Sequence, residues 1–124
     1  MPFWAVFAAV AGFSGTGWTE TGRVSWYSVE ACRWNPAPSC PTASGASLYE
    51  LEKKGVLFAA MWDVPFGSRW RVCDPDNGKC VEVVILDRGP ARRLNRRIDL
   101  CREAFSRIGN LKKGVMSVTV ERVG

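Results

Sequence analysis

Residues 69–86 read RWRVCDPDNGKCVEVVIL, and this stretch carries the clearest statement about the fold. The runs Arg69 to Val72 and Val81 to Leu86 read as strands. Between them lies Asp74-Pro75-Asp76-Asn77-Gly78-Lys79, where Asn-Gly is a strong hairpin signal because both positions tolerate the backbone twist of a tight turn. On the N-terminal side, Val56 to Met61 reads as a short buried strand and Trp62 to Gly67 as a turn around Pro65. Farther back, Leu48 to Lys54 suits one or two helical turns ended by Gly55, the Cys32 to Gly45 stretch is loop, and Arg23 to Val29 (RVSWYSV) is an alternating aromatic strand. On the C-terminal side, Asp99 is placed to cap a helix through Ile108, with Leu100, Ala104, Phe105 and Ile108 on one face and Gly109 as its stop. Val115 to Val123 (VMSVTVERV) closes the chain as the most regular alternating run. Several short strands with little helix indicate a small, mainly β barrel.

At 124 residues the chain is the size of one ordinary domain. The segment Met1 to Phe13 (MPFWAVFAAVAGF) is apolar and Gly12 to Gly22 is rich in Gly, Ser and Thr, so 1–22 is expected to be an apolar arm or atypical signal plus linker, with the domain at 23–124. The apolar segment lacks a basic start and is shorter than the roughly 20 residues needed to cross a bilayer. An arm that docks on neighbouring protein subunits is the other reading of Met1 to Phe13.

Composition narrows the chemistry. The chain contains no histidine, which removes His general bases, His-activated nucleophiles and His-ligated zinc. Neither a phosphate-binding G-x-x-x-x-G-K-[ST] nor a G-x-G-x-x-G after a strand is present, so no nucleotide or other cofactor is expected. With 17 Lys+Arg against 12 Asp+Glu the chain carries +5 and favours anionic partners. Nucleic acid is the weaker choice among these, because no nucleic-acid recognition motif accompanies the charge.

The five cysteines give a compartment. Cys73 and Cys80 flank the hairpin turn, where opposite residues lie at a separation a disulfide closes. Cys32 and Cys40 bracket a loop with two prolines and can pair in the same way, while the absence of any C-x-x-C disfavours zinc. Cys101 is either a small buried hydrophobe or a partner of one of the other four. Disulfides imply an oxidising location outside the cytoplasm, secreted or periplasmic, or a virion particle.

Four segments, in order, resemble one family: Val24-Ser25-Trp26-Tyr27; Thr42-Ala43-Ser44-Gly45; Ala59-Ala60 with Val64-Pro65-Phe66-Gly67; and Asp87-Arg88-Gly89-Pro90 followed by Arg97-Ile98-Asp99-Leu100. Together they are similar to the RlpA-like (rare lipoprotein A) double-psi β-barrels over residues 23 to 123. The resemblance implies a six-stranded double-psi β-barrel with one or two short helices, as found in lytic transglycosylases that cut peptidoglycan glycan strands and, more distantly, in expansins. It also implies a catalytic set of a Glu after T-A-S-G, a His after the Ala-Ala pair and the Asp of D-R-G-P. These positions hold Ala46, Met61 and Asp87. Two of the three reactive side chains are absent, so the chemistry is thinned to one carboxylate.

One carboxylate suffices for lytic cleavage, because the sugar's own 6-hydroxyl attacks and a single group acts first as acid and then as base. Asp87 is the candidate for that role, against the plainer reading of a carboxylate that accepts backbone N–H groups before Gly89-Pro90. Glu50, Glu52 and Asp63 lie nearby in sequence but outside the motif positions, and Asp99 reads as the helix cap. Trp26, Tyr27, Trp34, Trp62 and Trp70 are candidates for stacking on sugar rings, against plain packing. Ser44 in the T-A-S-G loop, Arg88, and Trp62 beside the lost His complete the expected substrate-binding set with Trp26 and Tyr27. Arg88, Arg92, Arg93, Arg96, Arg97, Arg102 and Arg107 concentrate positive charge, suited to anionic wall polymer or to plain solvation. The sequence thus points to a peptidoglycan-directed domain, either a divergent lytic transglycosylase using Asp87 or a non-catalytic module for glycan binding or interaction, such as a virion tail component.

Overall fold

The computed structural model describes residues 19–124; the apolar segment Met1 to Phe13 and the start of the linker lie outside the described residues. Six strands form a closed mixed barrel: β1 (Thr19–Tyr27), β2 (Phe58–Ala60), β3 (Arg69–Cys73), β4 (Cys80–Asp87), β5 (Ile98–Cys101) and β6 (Val115–Arg122). Their order around the barrel is β1-β5-β2-β4-β3-β6, closing back on β1. Closure leaves no sheet edge with unpaired backbone groups. The pairs β1·β5 and β2·β4 run parallel, and β1·β6, β2·β5, β3·β4 and β3·β6 run antiparallel. Two short helices, α1 (Leu48–Lys53) and α2 (Arg102–Ser106), and three short 3-10 segments complete the described domain.

Period-two patterning explains the barrel interior. In β6, Met116, Val118 and Val120 are buried while Ser117 between them is exposed. Val72, Val81, Val83 and Ile85 do the same on the β3·β4 hairpin, and α2 closes one end with Ala104 and Phe105, followed by Ile108. The hairpin register pairs Cys73 with Cys80, and these two are disulfide-bonded, as are Cys32 and Cys40. Cys101 is a buried free thiol, the first of the two readings its sequence left open. Closing an eight-residue loop lowers the entropy of the unfolded chain, so replacing Cys73 and Cys80 by Ser is expected to cost about 2.5 kcal/mol, measured as a lower urea midpoint with an intact native spectrum.

Several elements differ from the sequence reading. The first strand begins at Thr19, four residues before the expected domain start, because Thr19–Gly22 pair with Val118–Glu121 of β6. Gly22 is required there by close approach, since a Cβ would come within 2.7 Å of the Arg97 Cβ. Asp99 does not cap a helix. It lies inside β5, and α2 begins only at Arg102 after Cys101, with no side-chain cap bond. The strand won because Ile98 and Leu100 are fully buried between β1 and β2, a burial that outweighs a single capping hydrogen bond.

Candidate functional site

The register of four strands sets one row of residues across the barrel. Ser25 on β1 pairs with Asp99 on β5, Asp99 with Ala60 on β2, and Ala60 with Asp87 on β4. A bulge between Ala59 and Ala60 advances the β4 register by one residue, so that Asp87 and not Leu86 stands opposite Ala60. The two aspartates therefore lie two strand spacings apart, about 10 Å between Cα atoms, with only a methyl side chain between them. Tyr27, Ala60, Trp62, Asp87, Arg88 and Asp99 are among the residues lining a cavity of about 350 Å³ above this row.

Asp87 is held by three donors. Tyr27 OH donates to Oδ2 at 2.9 Å, and the backbone N–H groups of Ala43 and Arg88 donate to Oδ1 at 2.8 and 2.9 Å. The backbone-anchor reading of Asp87 thus describes its contacts, and the anchor it provides is for the T-A-S-G loop. That loop also donates Ser44 N–H to the Leu86 carbonyl and is braced internally by Thr42, whose hydroxyl donates to the Ala46 carbonyl. Burial and the Asp87 charge raise the Tyr27 phenol well above its usual range, so Tyr27 stays a neutral donor.

Asp99 differs in kind. Burial raises its pKa to about 6, against the opposing effects of the Ser25 hydroxyl, which donates to Oδ1 at 3.0 Å, and of the Arg96 charge; the Asp87 charge raises it further. Both carboxyl groups accept hydrogen bonds, and Asp99 is the one that burial brings to a pKa near 6. A carboxyl group raised into this range in a cavity is a candidate for acid–base chemistry.

The remaining expected residues divide. Trp62 lines the cavity, but its N–H donates to the Pro90 carbonyl at 2.6 Å and the Arg92 guanidinium lies 4.6 Å from its ring centre, so it is a wall fixed by the Gly89-Pro90 turn. Arg88 also lines the cavity, with its guanidinium 3.8 Å from the Phe66 ring centre and donating to the Met61 carbonyl. Ser44 is half-buried in the anchored loop and is not among the lining residues. Trp26 is not brought to the cavity: its N–H donates to the Leu111 carbonyl and its ring packs on the core. Trp70 is buried, donating to Ser68 Oγ. At the family's His position Met61 is fully buried, and Ala46 stands at the Glu position without an ionisable group. Sequence reasoning placed Asp99 as a helix cap; it reaches the cavity because β5 pairs with β1 and β2, a non-local pairing for which Ile98 and Leu100 alone are too short a signal.

A closed six-stranded barrel with these two parallel pairs and an acid-floored cavity is a double-psi β-barrel. Residues 19–120 match the family model described as Lytic transglycolase. The chain is 35% identical over 118 residues to the probable endolytic peptidoglycan transglycosylase RlpA of Nostoc sp., covering 95% of this chain and 26% of that protein. It belongs to this family of RlpA-like double-psi barrels. Among solved structures, the Streptomyces papain inhibitor superposes with a TM-score of 0.64 at 21% identity, covering 87% of this chain and 96% of that one. A mutant Clavibacter michiganensis expansin in complex with cellohexaose gives 0.62 at 18% identity, covering 86% and 51%. These two likenesses concern the fold.

Proposed function

We propose that this domain acts outside the cytoplasm on peptidoglycan glycan strands and cleaves them as a lytic transglycosylase, with the acid–base work on Asp99 and Asp87 in support. The observation that carries this reading is the pair of aspartates flanking Ala60 on the cavity floor, one of them with a pKa near 6. The proton role expected of Asp87 passes to Asp99, since Asp87 is occupied as an acceptor from three donors. Asp99 in its acid form donates its proton to the glycosidic oxygen as the bond to the anomeric carbon breaks. The Asp87 carboxylate, oriented by Tyr27, faces the positive charge that develops on the ring. The Asp99 carboxylate then takes the proton of the 6-hydroxyl as that oxygen bonds to the anomeric carbon. The products are a 1,6-anhydro end and a free 4-hydroxyl end, with no water consumed. The relatives' printed activity and the oxidising location implied by two disulfides support the same reading.

The test is incubation with peptide-free glycan strands and mass spectrometry for anhydro-ended products. Because Asp99 must start protonated, kcat/KM is expected to fall about tenfold per pH unit above about 6. A rate that is flat or rising from about pH 5 to 8 removes Asp99 as the acid. Ala46 and Met61 at the Glu and His positions favour a second reading, a barrel that binds strands without cutting them. Binding with no anhydro product at any pH would decide for it.

A further inference from the structure

The 3-10 turn Val29–Trp34 ends on an indole that is 82% exposed. The other three described tryptophans spend their N–H groups inside the protein, on the Leu111 carbonyl, the Pro90 carbonyl and the Ser68 hydroxyl. Among the described residues, Trp34 alone of the tryptophans has an indole N–H with no protein partner, and its one ring contact is the Arg33 guanidinium, 5.7 Å from the ring centre. The Phe66 ring, also exposed, is covered by Arg88.

The loop that carries Trp34 is braced. The Cys32–Cys40 disulfide closes it, Pro36 and Pro38 stiffen it, Asn35 Oδ1 accepts from Ala37 N–H, and Cys40 N–H donates to the Ala37 carbonyl. Its base is part of the cavity: Ala31, Asn35, Cys40 and Pro41 all line it. Trp34 therefore stands directly beside a lining residue, on the rim of one wall, and faces water on a segment that loses little entropy when a ligand covers it.

We propose that Trp34 is a stacking platform for a sugar ring lying outside the acidic cavity, so that the domain grips a glycan strand over a longer span than the cavity encloses. The inference rests on the glycan-strand reading above. An indole is flat, apolar and wide enough to cover the C–H face of a pyranose, and its unused N–H can donate to a ring hydroxyl.

The test measures affinity by isothermal titration in the Asp99→Asn background, where strands are not consumed, using purified peptide-free glycan strands and a disaccharide too short to leave the cavity. Trp34→Ala is expected to weaken long-strand binding about tenfold and Trp34→Tyr by no more than about threefold, with disaccharide affinity unchanged in both. Equal long-strand affinity for Trp34→Ala and its parent overturns the platform and leaves the proposed function standing. A loss of disaccharide affinity in the same proportion also overturns it, since the loop wall and not the ring would then be at fault. Absence of strand binding by the unsubstituted protein removes both the platform and the reading beneath it.

Discussion

Asp99→Asn is expected to stabilise the domain at neutral pH while abolishing strand cleavage. The native state holds the Asp99 carboxyl with a pKa near 6, raised from 3.8 chiefly by burial. Below about pH 4 the group is protonated whether the chain is folded or not, and it has no effect on stability. Between about pH 4 and 6 the unfolded chain gives up its proton while the folded chain keeps it, so stability falls as pH rises; above about 6 the full cost is present. A displacement of this size corresponds to about 3 kcal/mol, the net of burial against the opposing Ser25 hydrogen bond and Arg96 charge. Asparagine carries no charge to bury, and its carbonyl can still accept from Ser25 Oγ, so most of that cost disappears. At roughly 4 °C per kcal/mol for a domain of this size, Tm should rise by about 10 °C near pH 7.5 and hardly change near pH 4. Calorimetry of both proteins at the two pH values reads the effect. An equal Tm difference at both would mean that Asp99 is not a buried proton carrier, and a fully active variant would mean that it is not the acid.

The placement of Asp99 separates what the sequence disclosed from what it concealed. The β3·β4 hairpin was legible because Asp-Asn-Gly turn chemistry and the flanking strand-like runs are local, and Cys73 and Cys80 had to face each other once that turn existed. Barrel closure was legible only through the ordered family segments, since no local signal says that β1 runs parallel to β5. Asp99 was misplaced for a physical reason. A four-residue strand has too few alternations to declare itself, and Asp three residues before Arg102 satisfies the local chemistry of a helix start just as well. Burial between two neighbouring strands decided the outcome, and burial is a non-local property. The same holds for the different surroundings of the two carboxyl groups. Asp87 is marked by its motif, but its three donors come from β1, from the T-A-S-G loop and from its own neighbour. Trp26 illustrates the converse, an aromatic in a matching motif whose indole is committed to Leu111 on the packed side of the barrel.

Asp87→Ala and Asp87→Asn should part company, and the difference tests whether Asp87 both anchors and acts. Alanine removes the acceptor for the backbone N–H groups of Ala43 and Arg88 and for Tyr27 OH at once. Ala43 is exposed and can turn to water, but the half-buried Arg88 and Tyr27 cannot do so freely, so a loss of roughly 3 kcal/mol or more is expected. The T-A-S-G loop would then be held by Ser44 N–H on Leu86 alone across the β4 end, and hydrogen exchange at Ala43 should accelerate with it. Asparagine keeps an oxygen for the two backbone donors and turns an amide N–H₂ toward the Tyr27 hydroxyl, which can rotate to accept. The Asn variant should therefore retain the slow exchange at Ala43 and most of the stability, yet lose the anion that faces the developing ring charge, lowering kcat by about a hundredfold or more with KM little changed. Full activity in Asp87→Asn would reduce Asp87 to an anchor and leave Asp99 to work alone. Wild-type stability in Asp87→Ala would mean that the three donors find other partners and that the loop is docked by something else.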